Sequence, residues 1–124
     1  MQDRLSEIFE RRELFMNNLR KSMPESSPQW PVDLSIKKNQ QHVRDMALRG
    51  VEEMFEAIQH LKNWKPHRQT EVRGFDRDEF LEEIVDAFNY FLSILVLTGF
   101  SADELMDAYR KKDNIINKRL ETGY

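Results

Sequence analysis

An all-α fold, a bundle of about four main helices in a single domain spanning residues 1–124, is predicted by three features of this chain. Apolar residues recur at three- and four-residue spacing, the signature of amphipathic helices. Only four glycines and four prolines punctuate the sequence, so long helices are expected. Val and Ile nowhere alternate with polar residues over the length of a strand.

Taken in order, Leu5, Ile8, Phe9, Phe15, Met16 and Leu19 define a first helix from about Gln2 to Lys21. It stops at SMPESSPQWPVD, where three of the four prolines fix the backbone into a loop, with Trp30 as its anchor. Asp33 or Ser35 is placed to cap a second helix that runs to about Lys65, before Pro66. Gly50 lies within it. A mid-helix glycine costs about 1 kcal/mol relative to alanine, which implies either a close helix crossing or a bend there. After the polar loop HRQTEVRGFDRD, Asp76 or Asp78 begins a third helix that ends near Gly99 in a left-handed cap. Ser101 with Glu104 three residues later matches a capping box, opening a fourth helix from Ala102 to about Leu120.

Composition narrows the function classes. With 19 basic and 22 acidic residues, the net charge of -3 disfavours general nucleic-acid binding, which calls for a strongly basic surface. The absence of cysteine excludes a disulfide framework and thiolate chemistry. Hydrophobic residues at 40% and charged residues at 33% suit a globular chain, despite a mean hydropathy of -0.72. No apolar run reaches membrane-spanning length, and MQDRLSEIFERR is too charged for a signal peptide, so the expected compartment is the cytoplasm, with no membrane partner.

The charge pattern is more informative than the balance. From Asp78 through Tyr109 there is no lysine or arginine, but there are eight acids: Asp78, Glu79, Glu82, Glu83, Asp86, Asp103, Glu104 and Asp107. In EEIVDAFNYFLSI and the residues just before it, Glu79, Glu82, Glu83, Asp86, Asn89 and Ser93 share one helical arc of roughly 120°. An ordinary solvated face mixes signs, because like charges one turn apart repel. Dipole chemistry at the helix start accounts for Asp78 and Glu79, but hardly for Asp86.

The second helix carries the matching element. In RGVEEMFEAIQHLKNWK, Glu53 and Glu56 repeat the spacing of Glu83 and Asp86, after a gap of 26 residues. Carboxylates three apart lie about 60° apart on a helix, so each helix offers a pair of oxygen ligands pointing the same way. Two such pairs on facing helices make a hard-oxygen cage for magnesium or manganese. His60, one turn beyond Glu56, reads as polar surface, with a contact to substrate or its water as the alternative. Leu48, Val51 and Phe55 lie on the flank opposite the acids, and the wide apolar arc that results implies a homodimer or larger homo-oligomer.

At these residues the chain resembles the all-α nucleoside triphosphate pyrophosphatases, the superfamily of the MazG proteins and the dimeric dUTPases. These share E-x-x-E followed by E-x-x-D on adjacent helices. HLKNWK, EEIVDAFNYFLSI and the closing YRKKDNIINKRLETGY are most similar to the dimeric dUTPases. The resemblance implies that Glu53, Glu56, Glu83 and Asp86 hold the metals; a glutamate not fully engaged by metal is then placed to accept the proton of a bound water, and Glu53 is the candidate. It implies phosphate contacts from Lys62 and Lys65, and from Lys112, Asn117, Arg119 and Tyr124 near the end of the chain. The family pattern Lys-x3-Asn-x2-Arg-x4-Tyr fits Lys112, Arg119 and Tyr124, but Ile116 stands in the asparagine position, with Asn117 beside it and Asn114 two residues earlier. Either the last helix is locally shifted or that contact is lost.

The implied reaction is hydrolysis of a nucleoside triphosphate, dUTP or another dNTP such as dCTP or one with a modified base, to the monophosphate and pyrophosphate. A di-iron carboxylate bundle would need Glu-x-x-His on two helices. Here Glu56 and His60 are four apart and no histidine follows Glu83. A non-enzymatic helical protein with an acidic docking face is the remaining class, and it assigns no role to Lys112, Arg119 or Tyr124.

Overall fold

The computed structural model describes residues 3–123, and among them it is all-helical: α1 (Arg4–Ser22), a short 3-10 turn (Pro24–Ser26), α2 (Lys37–Ile58), α3 (Arg77–Leu97) and α4 (Ala102–Thr122), with no strand. No single helix among these residues is long and apolar enough to cross a membrane. The chain divides into two compact units, Met1–Val32 with Leu95–Tyr124, and Asp33–Ile94.

In the first unit α1 packs against α4. Asp3 caps α1 by accepting the Ser6 N–H at 3.0 Å, and Phe9 and Met16 form its buried side. The proline segment is tied down at several places, among them Arg20 Nε donating to the Ser27 carbonyl at 3.2 Å. The Val32 N–H donates to the Leu97 carbonyl at 2.8 Å, and the Arg20 guanidinium lies 5.6 Å from the centre of the Trp30 ring, so Trp30 anchors the loop. α3 ends in a Schellman motif. Phe100 N–H donates to the Leu95 carbonyl, Gly99 N–H donates to the Val96 carbonyl, and Gly99 takes φ +81°. The expected capping box of α4 is complete: Ser101 Oγ accepts the Glu104 N–H at 3.1 Å, and the Glu104 carboxylate accepts the Ser101 N–H at 3.3 Å.

The second unit holds α2 and most of α3. Gly50 is buried, and a Cβ built there would lie 3.1 Å from the Phe91 ring and 3.2 Å from the Tyr90 Cβ. Of the two explanations for a mid-helix glycine, close crossing is the one found. Buried Ala57 and Ala87 likewise keep side-chain bulk small on each helix. Pairing of Gly50 with Tyr90 and Phe91, and of His60 with Phe80 at the other end, makes the two helices antiparallel.

Two boundaries differ from expectation. α2 begins at Lys37 with no side-chain cap, because the Asp33 carboxylate instead accepts both the N–H and the hydroxyl of Ser35 in a turn. α2 stops at Ile58, seven residues short of Lys65. There the N–H groups of His60 and Leu61 donate three residues back, to Ala57 and Ile58, and Asn63 Oδ1 accepts the Thr70 N–H at 2.9 Å, closing a loop of its own. α3 starts as expected, with Asp76 Oδ1 accepting the N–H groups of Asp78 and Glu79.

Candidate metal and nucleotide site

Antiparallel pairing sets the facing carboxylates of α2 and α3 at the same level. Ligand oxygens of Glu53, Glu56 and Glu83 all lie within 4.8 Å of one another. Glu53 and Glu83 are half-buried, while Glu56 and Asp86 are exposed. Loss of hydration first, and then the charge of and hydrogen bonding with Glu56, push the Glu53 carboxyl above its ordinary range; Asp86 and Glu83 add to it. Glu83 is raised in the same way, by loss of hydration, by Glu56 and by Asp86, with His60 opposing the shift. Asp86 is therefore electrostatically part of the cluster, although its oxygens lie outside the closest triad. Oxygen donors at this spacing fit a hard divalent cation such as magnesium or manganese.

A second group overlaps the first. His60, Glu79 and Glu83 also bring ligand atoms within 4.8 Å of one another, so Glu83 belongs to both sets. The His60 ring stands edge-on to Phe80 at 6.2 Å, which limits its rotation. Beside His60 and Glu79 opens a recess of about 620 Å³, lined also by Lys62, Arg73, Phe75 and Asp76. Phe75 packs on Phe80, ring centres 5.5 Å apart.

The sequence reading placed Lys62 and Lys65 on the second helix, but both lie in the loop after it. Lys62 reaches the recess, whereas Lys65 holds its ammonium 5.7 Å from the Trp64 ring centre. Lys112, Asn117 and Arg119 are exposed on α4, in the other unit, and Asn117 Nδ2 donates to Asp113 at 3.2 Å. α4 is an uninterrupted α-helix, so the local shift that would turn Asn117 into the place of Ile116 does not occur. Tyr124 lies outside the described residues. His60, expected as polar surface with a substrate contact only as the alternative, and Glu79 and Arg73 are not among the expected site residues. The first two stand four residues from Glu56 and Glu83, a spacing that placed them on the right faces; Arg73 gave no signal at all.

Comparisons with known protein families, with characterised proteins and with solved structures found no match.

Proposed function

We propose that the chain is a magnesium- or manganese-dependent nucleoside triphosphate pyrophosphatase, with dUTP the first substrate to test and dCTP or a modified dNTP as alternatives. The observation that carries this reading is the convergence of Glu53, Glu56 and Glu83, flanked by Asp86, into a cluster in which loss of hydration and the neighbouring carboxylates raise the Glu53 and Glu83 carboxyls. Glu53, Glu56, Glu83 and Asp86 would hold the cation. When bound, it would screen the carboxylates, draw charge from the phosphate oxygens and ease deprotonation of water.

The chain's own residues supply the rest. Glu53, with a carboxyl more basic than an ordinary glutamate, takes the proton of the attacking water. Lys62 in the recess and, on the resemblance, Lys65, Lys112, Arg119 and Tyr124 meet phosphate oxygens, while the asparagine contact of the family pattern is lost. Water adds to phosphorus, the phosphoanhydride bond breaks, and the electron pair leaves with pyrophosphate. A second copy of the chain covers the exposed apolar flank of α2, where Leu48, Val51 and Phe55 lie uncovered.

The test is a screen of purified protein against the canonical dNTPs and dUTP with magnesium, following pyrophosphate release. Release from at least one of them, abolished by a chelator, is the expected result. No release from any, together with capture of a basic protein surface, would favour the acidic docking protein instead.

A further inference from the structure

We propose that the recess formed by residues 59–79 seats the polyphosphate end of the substrate, and that Arg73 grips it. This rests on the nucleotide reading above and adds to it a residue that neither the acidic motifs nor the resemblance indicates.

The recess is continuous with the carboxylate cluster. His60 and Glu79 line it, and both approach Glu83, which belongs to the Glu53 and Glu56 triad as well. Its volume of about 620 Å³ exceeds what a single ion fills and lies within the range of small-molecule sites. A polyanion held at the carboxylates by divalent cations therefore has a path into it.

The lining sets Glu71, Asp76 and Glu79 beside Lys62 and Arg73, so a polyanion needs its divalent cations in order to enter. Asp76 spends Oδ1 on capping α3. Glu79 belongs to the His60 and Glu83 group. Glu71 accepts from Arg73 Nε at 2.9 Å. That bond engages Nε and leaves the two terminal nitrogens as donors for a phosphate. Lys62 has no ion-pair partner among the described residues. Two cationic groups thus line the recess, and a triphosphate carrying about four negative charges needs neutralisation beyond what one divalent cation gives.

The loop is built to present them. Gly74 takes φ +63°, a conformation other residues adopt with strain, immediately after Arg73. On its other side Phe75 fastens to Phe80 on α3. The Arg73 side chain itself is 85% exposed, so it is available to a ligand and its removal costs little packing.

Inorganic tripolyphosphate is the probe, with binding measured by calorimetry in the presence and absence of magnesium. Wild type is expected to bind it only with magnesium, and Arg73→Ala to weaken that binding by about tenfold or more. Arg73→Lys, which keeps the charge but not the fork, should fall between. Manganese binding alone should be unchanged in both. Arg68→Ala is the control, since Arg68 shares the loop but does not line the recess. Equal affinity in wild type and Arg73→Ala, or an equal loss in Arg68→Ala, overturns the inference and leaves the proposed hydrolase standing. Failure of wild type both to bind tripolyphosphate with magnesium and to release pyrophosphate from any dNTP overturns the hydrolase reading itself, and this inference with it.

Discussion

Three carboxylates held together with a fourth beside them, and no cation among them, are a liability that a ligand or protons relieve. Glu53→Gln or Asp86→Asn should accordingly cut pyrophosphate release by orders of magnitude while leaving helix content by circular dichroism intact, and should raise metal-free stability. Near-wild-type turnover in either variant would remove that residue from the site. The raised carboxyls of Glu53 and Glu83 also set a pH dependence. Being raised in the folded chain, they bind protons more readily there than in the unfolded chain. The stability they contribute is complete below the ordinary glutamate range and is lost as pH rises through their raised values. The metal-free melting temperature should therefore fall over that interval as pH increases, and saturating magnesium should flatten the slope. A slope unaffected by magnesium would mean that no cation binds there. The proximity of Glu53, Glu56 and Glu83 was legible because helical spacing fixes angular position. Arg73 was not, because its place depends on the path of an irregular loop.

At the scale of elements, the sequence foretold helix ends wherever a local bond decides them. Asp76, Ser101 and Gly99 each act through contacts within a few residues, and all three were readable. The end of α2 was not. Its apolar and basic pattern continues to Lys65, but the bond from Thr70 N–H to Asn63, seven residues apart, belongs to a loop that periodicity does not register. Gly99 offers the sharpest test of an element boundary. Its φ is +81°, and a Cβ there would lie 2.8 Å from the Pro31 Cβ, in the proline segment that Val32 already ties to Leu97. Gly99→Ala should thus destabilise by about 1–3 kcal/mol, combining left-handed strain with displacement of Pro31. Chemical denaturation measures this directly, and an unchanged midpoint would show that the segment yields at no cost. Gly50→Leu should be at least as harmful, since its contacts with Phe91 and Tyr90 leave no room for a side chain.

For the molecule as a whole, the decisive observation is how little of its apolar surface one copy covers. Among the described residues the buried hydrophobic ones are Phe9, Met16, Ala57, Ala87, Leu92, Val96 and Leu97, and two of these are alanines. Meanwhile Leu48, Val51, Phe55 and Ile58 on α2 are 44–57% exposed, and Leu81, Val85 and Phe88 on α3 are 44–59% exposed. An apolar stripe of this extent signals an interaction surface. If a second copy covers it, Phe55→Glu places a charge without a partner at the contact and should shift self-association by tenfold or more in Kd, read by sedimentation velocity. Folding and association would then be linked, so the melting temperature of wild type should rise with protein concentration while that of Phe55→Glu should not. Because Phe55 points away from Glu53 and Glu56 around the helix, the variant should bind manganese as wild type does at concentrations where each is folded. A wild-type chain that sediments as a stable monomer at micromolar concentration, with a melting temperature independent of dilution, would leave the stripe uncovered by its own kind and rule the assembly out.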